Sequence, residues 1–213
     1  AFDNYVPPSP EETDGRNPLD WPDIRRRIAE NRETGRIAGG KLLHGHFFLT
    51  MIYLRGYENL IFDMCDDHPK LHKLLAMVED FNMGLVQRYL DAGIEWMHYP
   101  EDLGMQEGPM LSPEHFRKYI KPSYQRLMAP AQEAGCIISM HSDGDIRELV
   151  PDLLDAGIEL LNLQDLVNGV DWIKENLKGR IGISLDIDRQ KITPYGTPQQ
   201  IDDHIRNCVK ELG

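Results

Sequence analysis

Cys136-Ile137-Ile138-Ser139-Met140-His141-Ser142-Asp143-Gly144-Asp145-Ile146 reads as a buried strand that delivers a histidine and an aspartate to its polar C-terminal tip. Ala134-Gly135 closes the helical pattern before it, and Gly144 breaks the strand, so that Asp145 can cap a helix beginning at Ile146. The same order of helix, glycine, strand and polar tip recurs. Leu90-Asp91-Ala92-Gly93-Ile94-Glu95 reappears letter for letter as Leu154-Asp155-Ala156-Gly157-Ile158-Glu159. The first copy leads into Trp96-Met97-His98-Tyr99 and the tip Pro100-Glu101-Asp102; the second leads into Leu160-Leu161-Asn162-Leu163 and Gln164-Asp165. Gly179 to Asp186 and, more weakly, Gly39 to His46 supply two further units. Helices alternating with short apolar strands predict a parallel α/β sheet, with its chemistry at the strand C-termini in a barrel mouth or an open-sheet crevice.

The 213 residues, 41% of them apolar, suffice for one sizeable core. Residues 1–19, rich in proline, aspartate and glycine, read as an irregular arm, and residues 20–213 as one domain. A net charge of −12 argues against sequence-independent nucleic-acid binding. Three widely spaced cysteines indicate neither a disulfide framework nor a cysteine-built zinc site and fit a reducing cytoplasm. No apolar run approaches the roughly 20 residues that span a bilayer, so no membrane partner is expected. Five strand candidates fall three short of an eight-stranded barrel of about 250 residues, and the expectation is a barrel incomplete at both ends. Exposed strand edges would then favour a homodimer. Pro122, inside the helical pattern after Ser112-Pro113-Glu114, is expected to kink it.

His141 and Asp143 alternate, which suits two ligands on one metal or a histidine oriented by a carboxylate. Of the adjacent carboxylates Glu101 and Asp102, only one can enter the cavity, and Asp102 is the choice. Gln106, Gln164 and Asp186 are further polar candidates at strand tips. His44 and His46 also alternate, with packing as good a reading as chemistry. No GxSxG elbow, P-loop or HExxH occurs.

The stretch His141 to Asn162, and Glu101-Asp102-Leu103-Gly104-Met105-Gln106-Glu107-Gly108-Pro109-Met110-Leu111-Ser112-Pro113-Glu114, resemble segments of the uroporphyrinogen decarboxylase superfamily, in a match running from about residue 20. The resemblance implies a (β/α)8 TIM-type barrel. It also implies one of two activities: decarboxylation of uroporphyrinogen, or methyl transfer with zinc and a corrinoid carried by a partner protein. The methyltransferases hold zinc through a His-x-Cys pair and a later cysteine; His141 matches the histidine, Asp143 stands at the cysteine, and the later position falls beyond Gly213. The decarboxylase's tyrosine falls near Ile52, one place from Tyr53, and Asp186 matches an aspartate of the family. The leading expectation is a methyltransferase or demethylase of small methylated compounds. In it His141, Asp143 and Asp102 are catalytic, with His141 and Asp143 also metal-binding and Asp102 a polar anchor, and Glu101, Gln106, Tyr53, Gln164 and Asp186 meet substrate. Few basic residues at the strand tips count against the decarboxylase, and a non-catalytic partial barrel is the third reading.

Overall fold

Each helix-glycine-strand unit of the sequence becomes one β/α repeat. The computed structural model describes residues 6–213, so residues 1–5 of the expected arm lie outside the described residues. The strands β1 (Gly39–Lys41), β2 (Trp96–Pro100), β3 (Ile137–Ser142), β4 (Leu160–Gln164) and β5 (Gly182–Asp186) form one parallel sheet in sequential order. Sequential parallel order is that of a β/α barrel wall, and here the wall is an open arc.

The crossovers are helical. After α1 (Trp21–Glu33) and β1, the chain runs through α2 (Phe48–Arg55), α3 (Tyr57–Cys65) and α4 (Pro69–Asp91) to β2. Between β2 and β3 lie α5 (Pro113–His115), a π turn over Phe116–Ile120, and α6 (Lys121–Glu133). Then α7 (Val150–Asp155) precedes β4, α8 (Asp165–Asn168) and α9 (Val170–Asn176) precede β5, and α10 (Ile192–Tyr195) and α11 (Pro198–Leu212) follow it. Gly93, Gly135, Gly157 and Gly179 all take positive φ between helix and strand, a region closed to most side chains.

Alternation sets what each face does. Met97, Tyr99, Ile138, Met140, Leu161 and Leu163 are fully buried on the helix side. The alternate residues, His98, Ser139, His141, Asn162 and Ser184, share the other face, the inside of the barrel wall.

Four local expectations change. In the unit from Gly39 to His46 the strand is β1, which already ends at Lys41. No helix starts at Ile146: residues 147–149 form a turn and α7 opens at Val150, because Pro151 suits a first helical turn while Asp145 spends its carboxylate on Arg147. Pro122 sits in the first turn of α6, where a missing N–H costs nothing, and the preceding π turn absorbs the change of register. The arm is irregular but lies on α4: Trp21 Nε1 donates to the Pro10 carbonyl at 3.0 Å, Arg88 pairs with Glu11, and Pro10 fills the space above Gly84. No described helix is long and apolar enough to cross a membrane.

Candidate metal centre at the barrel mouth

Parallel register places His141 of β3 beside Asn162 of β4, and Asn162 beside Ser184 of β5. The Asn162 amide Nδ2 lies 3.1 Å from the Ser184 carbonyl, 3.2 Å from Ser184 Oγ and 3.2 Å from Asp186 Oδ1. Those acceptors fix the amide orientation and turn Oδ1 towards His141 Nδ1, which donates to it. The ring is thereby held in the Nδ1–H form, and Nε2 points into the mouth.

Two carboxylates wait there. Asp102 Oδ1 and Asp143 Oδ1 each lie 3.6 Å from His141 Nε2. His44 Nε2 is 3.3 Å from the same Asp102 oxygen, and its ring centroid lies 5.7 Å from that of His141. Arg189, three residues past the end of β5, pairs with Asp143 and reaches to 3.7 Å from Asp186.

The electrostatics follow from these partners. Burial alone would pull the His141 pKa down, but Asp102, Asn162 and the Asp143 charge more than offset it, and the net displacement from 6.5 is upward. The imidazolium therefore contributes stability that is complete below about 6.5 and is lost as pH rises through the higher folded value. Burial raises the Asp102 pKa, and His141, the Asp143 backbone N–H and His44 outweigh it, so this carboxyl lies below its usual range. Deeper in the barrel His98, with Nδ1 2.8 Å from Ser139 Oγ, is pushed down to about 4 by burial and then by nearby cations, and is neutral at pH 7.

The mouth is braced by its neighbours. Gly104 and Gly144 meet backbone to backbone, Gly104 N–H donates to the Asp143 carbonyl at 3.1 Å, and Asp145 N–H donates to the Met105 carbonyl at 2.7 Å. Ser142 Oγ accepts from Leu103 N–H at 2.9 Å, and Gln164 Oε1 accepts from Gly144 N–H at 3.0 Å. The tips of β2, β3 and β4 are thus one hydrogen-bonded unit.

The structure brings together His141, Asp143, Asp102 and Asp186 of the sequence candidates. Glu101 turns the other way, fully buried, where its carboxylate accepts the backbone N–H groups of Phe47, Phe48 and Leu49 at the start of α2. Gln164 is buried and spent on Gly144, and Gln106 is exposed on the loop after β2. Tyr53 is exposed on α2 beneath Arg16 and lines a separate cavity beside the arm. Sequence reasoning missed Asn162 and Arg189. A polar residue in the otherwise apolar Leu160-Leu161-Asn162-Leu163 was a usable signal for the first; Arg189 is also a basic residue at a strand tip, where few were expected.

The donor atoms of His44, Asp102 and His141, and separately those of His141, Asp143 and Asp186, lie within 4.8 Å of one another. Such a set can hold a divalent cation through imidazole nitrogen and carboxylate oxygen.

Comparison with known proteins agrees with this architecture. No curated protein matches the chain in sequence. A methyltransferase from Methanosarcina mazei shares the fold, with a TM-score of 0.71 at 15% identity, over 99% of this chain and 60% of that one. This chain therefore spans less than two thirds of that structure's length. The pattern of the family described as Uroporphyrinogen decarboxylase (URO-D) matches residues 45–213, a span that holds Asp102, His141, Asp143, Asn162, Asp186 and Arg189. With the two segments that resemble this superfamily lying inside that span on a β/α barrel wall, the chain belongs to the uroporphyrinogen decarboxylase (URO-D) family.

Proposed function

We propose that the chain carries the centre of a methyltransferase-like enzyme of this family, acting on a small methylated substrate with a divalent cation held at His141. The observation that carries the reading is the setting of His141 Nε2. Its lone pair, directed by the Asn162 hydrogen bond, faces two carboxylate oxygens at 3.6 Å each. A bare lone pair there meets negative charge, and a cation, either proton or metal, removes the conflict. His141 with Asp102 and His44, or with Asp143 and Asp186, would hold the ion. No thiolate is within this group, so the set suits a borderline or hard divalent ion, with carboxylate oxygen in place of the cysteine sulfur the resemblance implies.

A bound cation supplies Lewis acidity towards the heteroatom that bears the methyl group. The chain's own residues do the rest. Asn162 fixes the His141 ring, Arg189 holds Asp143 and Asp186 in place, and with the ion on His141, Asp143 and Asp186 both His44 and Asp102 are free to bind substrate or pass a proton. In the transfer the heteroatom–methyl bond breaks, its electron pair stays with the heteroatom, which takes up a proton, and the methyl group passes to a nucleophilic acceptor. A corrinoid carried by a partner protein is the acceptor proposed. Three mouth carboxylates against one arginine would repel a polycarboxylate porphyrinogen, which weighs against the decarboxylase reading.

The test is methyl transfer from small methylated amines, thiols and phenols to reduced cobalamin, followed by the cobalamin absorbance. His141→Ala is expected to lower the rate by about 100-fold or more. Transfer at the unchanged rate in that variant, or carbon dioxide release from a porphyrinogen by the unsubstituted protein, would overturn the reading.

A further inference from the structure

A second cluster shares no residue with the donor sets of the mouth. Asp165 directly follows the last residue of β4, is fully buried, and opens α8. His204 and Cys208 sit four residues apart on α11, one turn above the other on the same face. The Thr197–Gln200 capping box starts that helix. His204 Nε2 is 2.6 Å from Asp165 Oδ2, and Cys208 Sγ is 3.7 Å from the same nitrogen. One donor atom from each residue falls within 4.8 Å of the other two.

The use of one nitrogen decides between two chemistries. A nucleophile relay needs the carboxylate on one ring nitrogen and the thiol on the other. Here both face Nε2, so the geometry is not that of a charged nucleophile. It is that of three donors converging on one point. Tetrahedral bonds of about 2.3 Å to sulfur and about 2.0 Å to nitrogen put those two donors roughly 3.5 Å apart, close to the separation found. The Asp165–His204 hydrogen bond has only to open by under about 1 Å for the oxygen to reach the same spacing.

We propose that Asp165 Oδ2, His204 Nε2 and Cys208 Sγ form a second metal site that takes a zinc-class divalent ion and ties α11 to the end of β4. Thiolate, imidazole and a single carboxylate favour a borderline-soft ion over magnesium or calcium. Cys208 is 4% exposed and borders an apolar cavity of about 370 Å³ lined by Ile183, Leu185, Ile205 and Leu212, and the three protein donors leave the fourth position of a tetrahedral ion open. On binding, the Cys208 thiol gives up its proton to solvent and the His204 proton moves from Nε2 to Nδ1. Burial and the Asp165 charge raise the Cys208 pKa, which keeps the thiol protonated until the ion arrives.

Cobalt(II) titration of the protein tests this, because only a thiolate ligand gives a sulfur-to-cobalt charge-transfer band in the near ultraviolet. One equivalent of that band is expected. It should disappear in Cys208→Ser and persist in His141→Ala and Cys65→Ser, so failure here is separable from failure at the mouth. His204→Gln, a second variant that keeps Cys208, should lose most of the band at equal cobalt. Absence of the band in the unsubstituted protein, its survival in Cys208→Ser, or an unaltered cobalt affinity in His204→Gln would overturn the proposal.

Discussion

Glu101→Ala is expected to destabilise the protein by ~3–5 kcal/mol, the cost of stripping a buried network of its acceptor. The helix α2 has no cap of its own: no side chain of its N-terminal segment accepts the leading N–H groups. Glu101 reaches across from β2 and takes Phe47 N–H at 3.1 Å, Phe48 N–H at 2.8 Å and Leu49 N–H at 3.3 Å, while Tyr124 donates its hydroxyl at 3.1 Å. Alanine leaves all four donors buried and unpaired, in a place closed to water. Burial raises the Glu101 pKa from 4.5 to about 7 against the opposing pull of those N–H groups. The folded state then binds its proton more tightly than the unfolded state, so this contribution is full below about 4.5 and is lost as pH rises through about 7. Denaturant unfolding of Glu101→Ala and Glu101→Gln across pH 4 to 8 measures both effects. The glutamine variant should lose the pH slope and keep more stability than alanine, and a cost under about 1 kcal/mol for alanine would contradict the role assigned to this carboxyl.

Gly144→Ala is expected to cost ~3 kcal/mol or more and to weaken the metal binding proposed at the mouth. A Cβ there would lie 2.2 Å from the Gly104 carbonyl carbon and 2.3 Å from its oxygen, backbone atoms with nowhere to go. The φ of +79° adds conformational strain. To relieve the clash, the β2 and β3 tips must part, and Asp102 and Asp143 part with them. Gly179→Ala is the control: its φ is +76° and nothing lies within 4 Å of the added Cβ, so it pays the strain alone, about 1 kcal/mol. Equal losses in the two variants, with zinc affinity unchanged in both, would show that the contact between tips does not hold the site.

The barrel wall was legible because its signals are local. The repeated Leu-Asp-Ala-Gly-Ile-Glu segment marks helix end and strand start twice over, and apolar alternation shows which side of β3 meets the helices. Family resemblance then supplied the barrel, and the parallel arc of strands together with the fold shared with the methyltransferase bears it out. The site was legible only as far as each strand can be read alone. His141 and Asp143 stand out within β3, but the pairing of His141 with Asn162 is a matter of register between strands 21 residues apart. Arg189 enters through a loop whose course depends on Asp188, which accepts the N–H groups of Lys191 and Ile192 at 2.7 Å each and folds the chain back over the mouth. Glu101 looks like a mouth carboxylate in the sequence, and only the approach of α2, some 50 residues earlier, shows what it holds.

The most direct test of the cation centre is a zinc titration followed through the ring nitrogens of 15N-labelled histidines, in the unsubstituted protein and in Asn162→Ala. The account predicts that His141 keeps its proton on Nδ1 while its Nε2 signal shifts on binding, more strongly as pH rises and the competing proton leaves. Asn162→Ala should weaken that binding by about 10- to 100-fold, because the ring loses the partner that aims it. His141 nitrogen signals that do not move at saturating zinc would contradict the account.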